Sequence, residues 1–182
     1  MGQEYKSFLE VLHLFVGKEN VLEAEDLIIE AIDACDAVKE ELIDRVMLFE
    51  ELPPSFEKYL DGLTDRELAK VLITGYLRSE ERILFDPIPN YMFTRDIAVT
   101  IKDHILITKA AKEARYRENL LSRFIFKYHP MFEESKAANR IIDMNDLELF
   151  PPSPKAESVS AEGGDIMMFE PEHLLILSLI HI

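Results

Sequence analysis

The sequence contains a single cysteine, Cys35, among 182 residues, and this scarcity excludes an internal disulfide framework. Basic residues are scarce relative to acidic ones: 20 Lys and Arg stand against 35 Asp and Glu, which gives a formal net charge of −15. Because no basic excess is available to neutralise a phosphate backbone, we expect no nucleic-acid partner. We expect a reduced, cytoplasmic setting, and the acidic surface is compatible with a cationic small molecule.

Long apolar runs are also absent, so no segment approaches the length of a membrane-spanning helix, and we expect no membrane partner. The first residues carry acidic side chains where a signal peptide has basic ones. The chain starts within a predicted helix and stops within an apolar run, so we expect both ends to be cut. Residues 177–182, LSLIHI, are what one frame of the transposon-based sequencing adapter CTGTCTCTTATACACATC encodes, and we expect them to be a non-native tail.

Apolar residues recur at helical spacing through the first half of the chain. Residues 3–16 are predicted to form a helix that ends at Gly17. From residue 22 to residue 84 the pattern predicts several short helices with acidic outer faces, and Thr64 with Glu67 has the spacing of a capping box. Residues 22–84 are therefore expected to form a compact helical subdomain.

Beyond residue 84 the periodicity changes to that of strands. The segment IAVTIKDHILIT predicts a hairpin with its turn at residues 102–104, and KEARYRENLLSRFIFKYHP predicts a helix that ends at Pro130. Two further strands are predicted in EGGDIMMF and HLLIL, after a loop rich in Pro and Ser at residues 145–161. The order of hairpin, helix and strand is that of the ββαβ units in α/β folds.

Three clusters of polar residues are candidates for chemistry. The first is NYMFTRD, residues 90–96, which follows two helix-excluding prolines, Pro87 and Pro89, and precedes the hairpin. Arg95 and Asp96 are therefore predicted where a loop enters a sheet, a common place for a site and for an ordinary salt bridge.

The second cluster is Arg115, Arg117 and Glu118 at the start of the predicted helix; for Arg117 and Glu118 a solvated face or a helix-start charge pair is the simpler interpretation. The third is EGGD, residues 162–165. Two adjacent glycines between carboxylates predict a tight turn whose backbone approaches a ligand closely. Each pattern is weak when taken alone.

In this order, DPIPNYMFTRD, ARYRE and EGGD resemble the hallmark segments of the arginine deiminase family, PN-x-x-FTRD, R-x-RE and EGGD. In that family a helical insertion ending in an LITG-like helix precedes the first hallmark, as VLITGYLR does here. The resemblance extends over nearly the whole chain up to Ile176. It implies an α/β fold, part of a pentein, which is a propeller-like fan of ββαβ units around a central site, with an inserted all-helical subdomain. Residues 1–21 are then expected to be a remnant of the first unit, 22–84 the insertion and 85–176 the pentein core.

The resemblance also implies an activity, the hydrolysis of L-arginine to L-citrulline and ammonia through a covalent cysteine intermediate, with no metal or organic cofactor. By motif position, Asp96 and Glu162 are the expected catalytic carboxylates that hold the substrate guanidinium. Asn90 and Arg115 are expected at the amino-acid end of the substrate, with Arg115 on its α-carboxylate, and Phe93 beside the guanidinium plane.

Four neighbours of these residues are expected to have supporting or structural roles: Arg95, Arg117, Glu118 and Asp165. The cysteine nucleophile and the His-x-Asp pair of the family have no match here, since Cys35 falls among predicted helices and no histidine has that context. We therefore expect an inactive fragment of an arginine deiminase, whose full-length parent could be a homo-oligomer. Two alternatives stay open: a non-catalytic arginine-binding or regulatory module, and a related amidinotransferase or dimethylarginine hydrolase.

Overall fold

The computed structural model describes residues 2–34, 36–88, 90–152, 159–170 and 172–176. Cys35, Pro89 and the expected tail at 177–182 lie outside the described residues. The helices are α1 (Gly2–Val16), α2 (Ala24–Asp33), α3 (Asp36–Phe49), α4 (Glu57–Asp61), α5 (Asp65–Thr74), α6 (Thr94–Ile97), α7 (Tyr116–Tyr128) and α8 (Glu133–Ala137). The strands are β1 (Tyr76–Leu77), β2 (Arg82–Ile83), β3 (Ala98–Ile101), β4 (His104–Ile107), β5 (Ile141–Asp143), β6 (Ile166–Glu170) and β7 (His173–Ile176).

The largest hydrophobic cluster lies between α2, α3, α5 and α7. These helices place apolar residues three and four positions apart, so each presents an apolar stripe to its neighbours. The larger side chains in the cluster that lose essentially all contact with solvent include Ile28, Leu42, Leu68, Leu72 and Leu121, together with Leu60 of α4. Helix α7, which carries one of the candidate clusters, is therefore packed directly onto the helical part of the chain. None of the described helices has the length and apolar character that a membrane crossing requires.

Helix α1 confirms the prediction for residues 3–16. It ends at Gly17, whose backbone has φ 84° and whose N–H donates to the His13 carbonyl oxygen at 3.0 Å. Phe8 and Phe15, which form part of the predicted apolar face, are 58 % and 83 % exposed. The predicted helix is therefore present, but the described residues do not cover these two rings.

Helix α5 begins at the predicted capping box, in which the Thr64 N–H donates to Glu67 Oε2 and the Glu67 N–H to Thr64 Oγ1. The helical pattern predicted to continue to residue 84 is wrong beyond Thr74. Gly75 adopts the left-handed conformation with φ 67°, and residues 76–83 form the short hairpin β1–β2 instead. Gly75 ends the helix because only glycine reaches this φ without strain.

The central sheet has the strand order β3-β4-β5. Strands β3 and β4 are antiparallel, with Ala98 opposite Ile107, and their turn confirms the predicted hairpin. Strand β5 runs parallel to β4, with Ile105 opposite Ile141, and α7 lies between them in the chain. Hairpin, helix and parallel strand thus form one ββαβ unit.

The closing strand of this unit, β5, lies in a segment for which the sequence predicted no strand. It has only three residues, all half-buried, so no alternating pattern develops. Its end is fixed by an ion pair of 2.5 Å between Asp143 and Arg123 of α7. The two strands predicted after EGGD are confirmed as the antiparallel pair β6–β7, which is a separate two-stranded sheet.

A tight backbone contact at Gly75 leads to the first prediction. A Cβ at this position would lie 1.8 Å from the Phe85 carbonyl oxygen. Gly75→Ala is expected to lower the free energy of unfolding by about 2 kcal/mol or more, because positive φ costs an L-residue roughly 1–2 kcal/mol and a clash adds to it. Urea unfolding of the 182-residue chain measures this. The control is Gly62→Ala, where φ is −71° and the nearest atom would be 3.5 Å away; an equal loss in both variants would contradict the account.

A second prediction concerns Glu41, which joins α3 to α7. Its carboxylate accepts a hydrogen bond from the Tyr128 hydroxyl and pairs with Lys127 at 3.4 Å and Arg45 at 2.8 Å. The Tyr128 hydrogen bond, helped by the two cations, lowers the pKa of Glu41 below its ordinary value of 4.5. A carboxyl whose folded pKa is depressed stabilises the fold above its unfolded pKa, and that contribution is lost as the pH falls through the folded value.

Glu41→Gln is therefore expected to be less stable than the parent chain at pH 7, and the difference is expected to shrink as the pH falls below 4.5 and through the lowered folded pKa of Glu41. Thermal unfolding between pH 7 and pH 3 measures the difference, with Tyr128→Phe as a second variant that removes the main cause. A stability difference that does not change with pH would show that the Glu41 charge is not responsible.

Candidate functional site

The first candidate segment, residues 90–96, contains two consecutive hydrogen-bonded backbone turns. The Phe93 N–H donates to the Asn90 carbonyl oxygen, and the Asp96 N–H donates to the Phe93 carbonyl oxygen, each at 2.9 Å. The three residues thus follow one another on successive turns. The predicted loop-to-strand junction is wrong in one respect, because Asp96 lies in the one-turn helix α6, which enters β3 directly. The hydroxyl of Thr108, at the end of β4, donates to the Asp96 carbonyl oxygen and fixes this turn to the sheet.

The EGGD turn is attached to the same end of the hairpin. Lys109 and Ala161 form an isolated antiparallel bridge with two hydrogen bonds of 3.0 Å. Glu162 follows this bridge directly, so its position relative to β4 is fixed. Its N–H donates to Asp165 Oδ2 at 2.9 Å, which stabilises the turn formed by Gly163–Asp165.

Arg95 holds the EGGD turn against α6. Its Nε donates to the Gly163 carbonyl oxygen at 3.1 Å and its Nη2 to the Ile166 carbonyl oxygen at 2.8 Å. The Arg95 carbonyl oxygen lies so close to Gly163 that an added Cβ would be 1.6 Å from it. The sequence predicts that the backbone of the glycine pair approaches a ligand closely, but at Gly163 the close neighbour is the Arg95 backbone. This contact places Glu162, next to Gly163, near Asp96, next to Arg95.

The start of α7 is buried, so the interpretation of Arg117 and Glu118 as a solvated face is wrong. Arg115, Arg117 and Glu118 are only 6 %, 5 % and 1 % exposed. The Glu118 carboxylate accepts from Arg115 Nε at 2.7 Å and from the Asn90 N–H at 2.9 Å. Charged groups leave water at low cost only when they are paired, and both oxygens of Glu118 have a partner.

The Arg115 guanidinium faces three carboxylates. Besides Glu118, its Nη1 donates to Glu162 Oε2 at 2.6 Å, and its Nη2 lies 3.6 Å from Asp96 Oδ2. Burial acts to lower the pKa of Arg115, but the hydrogen bond and charge of Glu118, together with those of Glu162, outweigh it and raise the pKa. The cluster therefore combines one permanent positive charge with three negative ones.

Arg117 connects this cluster to the helical part of the chain. Its guanidinium donates to the Leu72 carbonyl oxygen at 3.0 Å, and it pairs with Glu50 and with the Asp86 carbonyl oxygen. It also lies over the Phe85 ring, 4.3 Å from the centroid. One side chain thus ties α7 to the ends of α3 and α5 and to the segment that leads to Asn90.

Two buried polar residues that position the site were missed in the sequence. Asn119 donates from Nδ2 to the Thr108 carbonyl oxygen at 2.9 Å and accepts from the Ala110 N–H at 3.3 Å. Thr108 is fully buried and also binds the Asp96 carbonyl, as described above. Asn119 could have been found from the sequence, because it and Ser122 are polar residues on a helix face that otherwise supplies core residues.

Three of the five predicted site residues meet through their side chains, Asp96, Arg115 and Glu162, and Asn90 is joined to them through its backbone N–H. The fifth, Phe93, joins them through its backbone while its side chain is 52 % exposed. Among the residues that the structure describes, no group of three or more His, Cys, Asp or Glu side chains is arranged to hold a metal ion.

The two neighbouring glycines of EGGD give a matched pair of variants. Gly163→Ala is expected to destabilise the chain by roughly 1–3 kcal/mol, because its Cβ would collide with the Arg95 carbonyl. Gly164→Ala is expected to be nearly neutral, since the nearest atom to its Cβ would be Asp96 Oδ1 at 3.9 Å. Urea unfolding measures both. Equal effects would mean that the turn is not docked on Arg95 as described.

Comparison with known proteins identifies the family. A family model described as arginine deiminase matches residues 76–177, which is more than half of the chain and includes all three polar clusters. Curated relatives include an arginine deiminase from Borreliella afzelii, 28 % identical over 197 residues, and one from Metamycoplasma arthritidis (strain 158L3-1), 29 % identical over 188 residues. The alignments cover 96 % of this chain but only 44 % and 42 % of those proteins, so the chain spans less than half of their length. The chain belongs to the arginine deiminase family.

Proposed function

We propose that this chain forms the substrate-recognition part of an arginine deiminase, an enzyme that hydrolyses L-arginine to L-citrulline and ammonia. The observation that carries the proposal is the convergence of Asp96 and Glu162, which are far apart in the sequence, on a single guanidinium group. In the structure that group belongs to Arg115. In the proposed complex the substrate supplies a second guanidinium.

The chemistry of the two carboxylates fits this role. A guanidinium is a planar cation with a fork of N–H donors, and carboxylates are the acceptors that match it best. The side chains of Asp96 and Glu162 are 26 % and 34 % exposed, so both can be reached by a ligand, whereas that of Glu118 is 1 % exposed. Asp96 and Glu162 therefore contact the substrate in this proposal, and Glu118 positions Arg115.

The remaining roles follow the family motifs. Arg115 binds the α-carboxylate of the substrate, Asn90 lies at the same amino-acid end, and Phe93 packs beside the guanidinium plane. The support is that Asn90 and Arg115 are both held by Glu118, so they are adjacent. The exposed Phe93 ring is free to cover a ligand.

The reaction itself needs groups that the sequence does not provide in the required context. A thiolate attacks the guanidinium carbon, ammonia leaves, and water then releases citrulline and restores the thiol. The only cysteine is Cys35, and no His-x-Asp segment occurs in the 182 residues. On this proposal the chain binds and orients arginine but does not turn it over alone, and the nucleophile and the histidine belong to the longer protein.

The architecture is proposed to be part of a pentein. The unit β3-β4-α7-β5 supports this, because it has the ββαβ order, and the hairpin β6–β7 would open the next unit. In this proposal residues 1–21 are a remnant of the first unit, residues 22–84 are a helical insertion and residues 85–176 are the pentein core. A cytoplasmic location and a homo-oligomeric parent stay predictions.

Arginine binding tests the proposal directly. L-Arginine is expected to bind the 182-residue chain, and Asp96→Asn is expected to weaken binding by roughly tenfold or more, because a hydrogen bond to a charged group contributes about 1.5–3 kcal/mol. An NMR titration, which detects weak binding, measures both affinities. Asp143→Asn is the control, since Asp143 pairs with Arg123 away from the cluster. Equal affinities in the parent chain and Asp96→Asn would refute the assignment.

A further inference from the structure

The guanidinium of Arg115 lies where the proposed function expects that of the substrate. Its Nη1 donates to Glu162 at 2.6 Å and its Nη2 lies 3.6 Å from Asp96. We propose that Arg115 determines specificity by competition: its own guanidinium occupies Asp96 and Glu162 until a ligand carboxylate draws it away. This inference rests on the proposed function, because it requires that Asp96 and Glu162 bind the ligand guanidinium.

Arg115 is anchored at one end and less firmly held at the other. Its Nε donates to the buried Glu118 carboxylate at 2.7 Å, and Glu118 is fixed in turn by the Asn90 N–H. The Nη groups point to Asp96 and Glu162, whose side chains are partly exposed. Because the guanidinium is rigid and planar, the release of these two carboxylates requires it to swing as one unit about the Cδ–Nε bond, which also tilts its hydrogen bond with Glu118, while the aliphatic part of the side chain stays buried.

The contact to be broken differs between the two carboxylates. The pair with Glu162 has hydrogen-bond length, whereas the pair with Asp96 at 3.6 Å is an ion pair without a hydrogen bond. Asp96 is therefore the carboxylate that an incoming guanidinium engages first. Glu162 becomes available only when Arg115 finds another anionic partner.

This arrangement discriminates between guanidinium ligands. A ligand with a guanidinium and no carboxylate has to compete with an intramolecular guanidinium that is always present at high effective concentration. L-Arginine carries an α-carboxylate that can pair with the displaced Nη groups, so the ion pair that is lost is replaced by another. The site is then selective for free arginine over agmatine, the decarboxylated compound, for two reasons. Agmatine must displace Arg115 without replacing its lost ion pairs, whereas arginine replaces them with its α-carboxylate.

The test compares L-arginine and agmatine on variants of the 182-residue chain. In Arg115→Met the competitor is removed, and the affinity for agmatine is expected to rise roughly tenfold while that for L-arginine falls, so the preference for arginine is lost. Arg123→Met removes a cation from the same helix, outside the cluster, and is expected to leave both affinities unchanged. NMR titration gives the six dissociation constants, two each for the parent chain, Arg115→Met and Arg123→Met, and circular dichroism confirms that each variant is folded.

A second variant covers the risk that Arg115→Met does not fold, since it leaves the buried Glu118 carboxylate without its cation. The double variant Arg115→Met with Glu118→Gln removes that unpaired charge and is expected to show the same gain in agmatine affinity. A role in stability alone would not change the ratio of the two affinities.

The outcomes separate the inference from the function on which it depends. If arginine binds through Asp96 but agmatine affinity does not rise in either Arg115 variant, the competition is absent and the inference is wrong. If neither ligand binds the parent chain or the variants, or if Asp96→Asn leaves binding unchanged, the proposed function fails, and the inference fails with it.

Discussion

The site depends on one carboxylate that is almost completely removed from water, that of Glu118. A buried charge of this kind is tolerated only when its oxygens are occupied by donors. Here the donors are Arg115 Nε and the Asn90 N–H, which come from the turn before α7 and from the segment before α6. Because Glu118 requires both, it determines where the two proposed substrate-binding residues lie relative to each other.

Two further arginines bring the remaining segments to this point. Arg95 fixes the EGGD turn on α6, and Arg117 fixes α7 on the helical part of the chain. Both donate mainly to backbone carbonyl oxygens, which hold the main chain rather than individual side chains. The partly exposed carboxylates of Asp96 and Glu162 are thus carried by a backbone whose polar groups are paired. Rigid support of this kind is what a site needs in order to hold a ligand in one geometry.

The sequence predicted local features well and remote contacts poorly. Strong periodicity identified the hairpin β3–β4 and helix α7, and the motif pattern identified the residues that converge. It could not predict that Glu118 and Arg117 are buried, because their partners Asn90, Glu50, Leu72 and Asp86 lie in other segments. Strand β5 was missed because three residues are too few for a period, and the continuation of α5 was wrong because apolar residues continue past Gly75, although this glycine adopts the left-handed conformation that ends the helix.

The central claim is that Asp96 and Glu162 bind a guanidinium group together. The most direct measurement is ¹³C NMR of the side-chain carboxyl carbons of the 182-residue chain during titration with L-arginine. The account predicts that the Asp96 and Glu162 resonances shift along one saturation curve, with a common dissociation constant, while that of Asp143 does not move. Resonances of Asp96 and Glu162 that stay fixed, or that follow different curves, would contradict it.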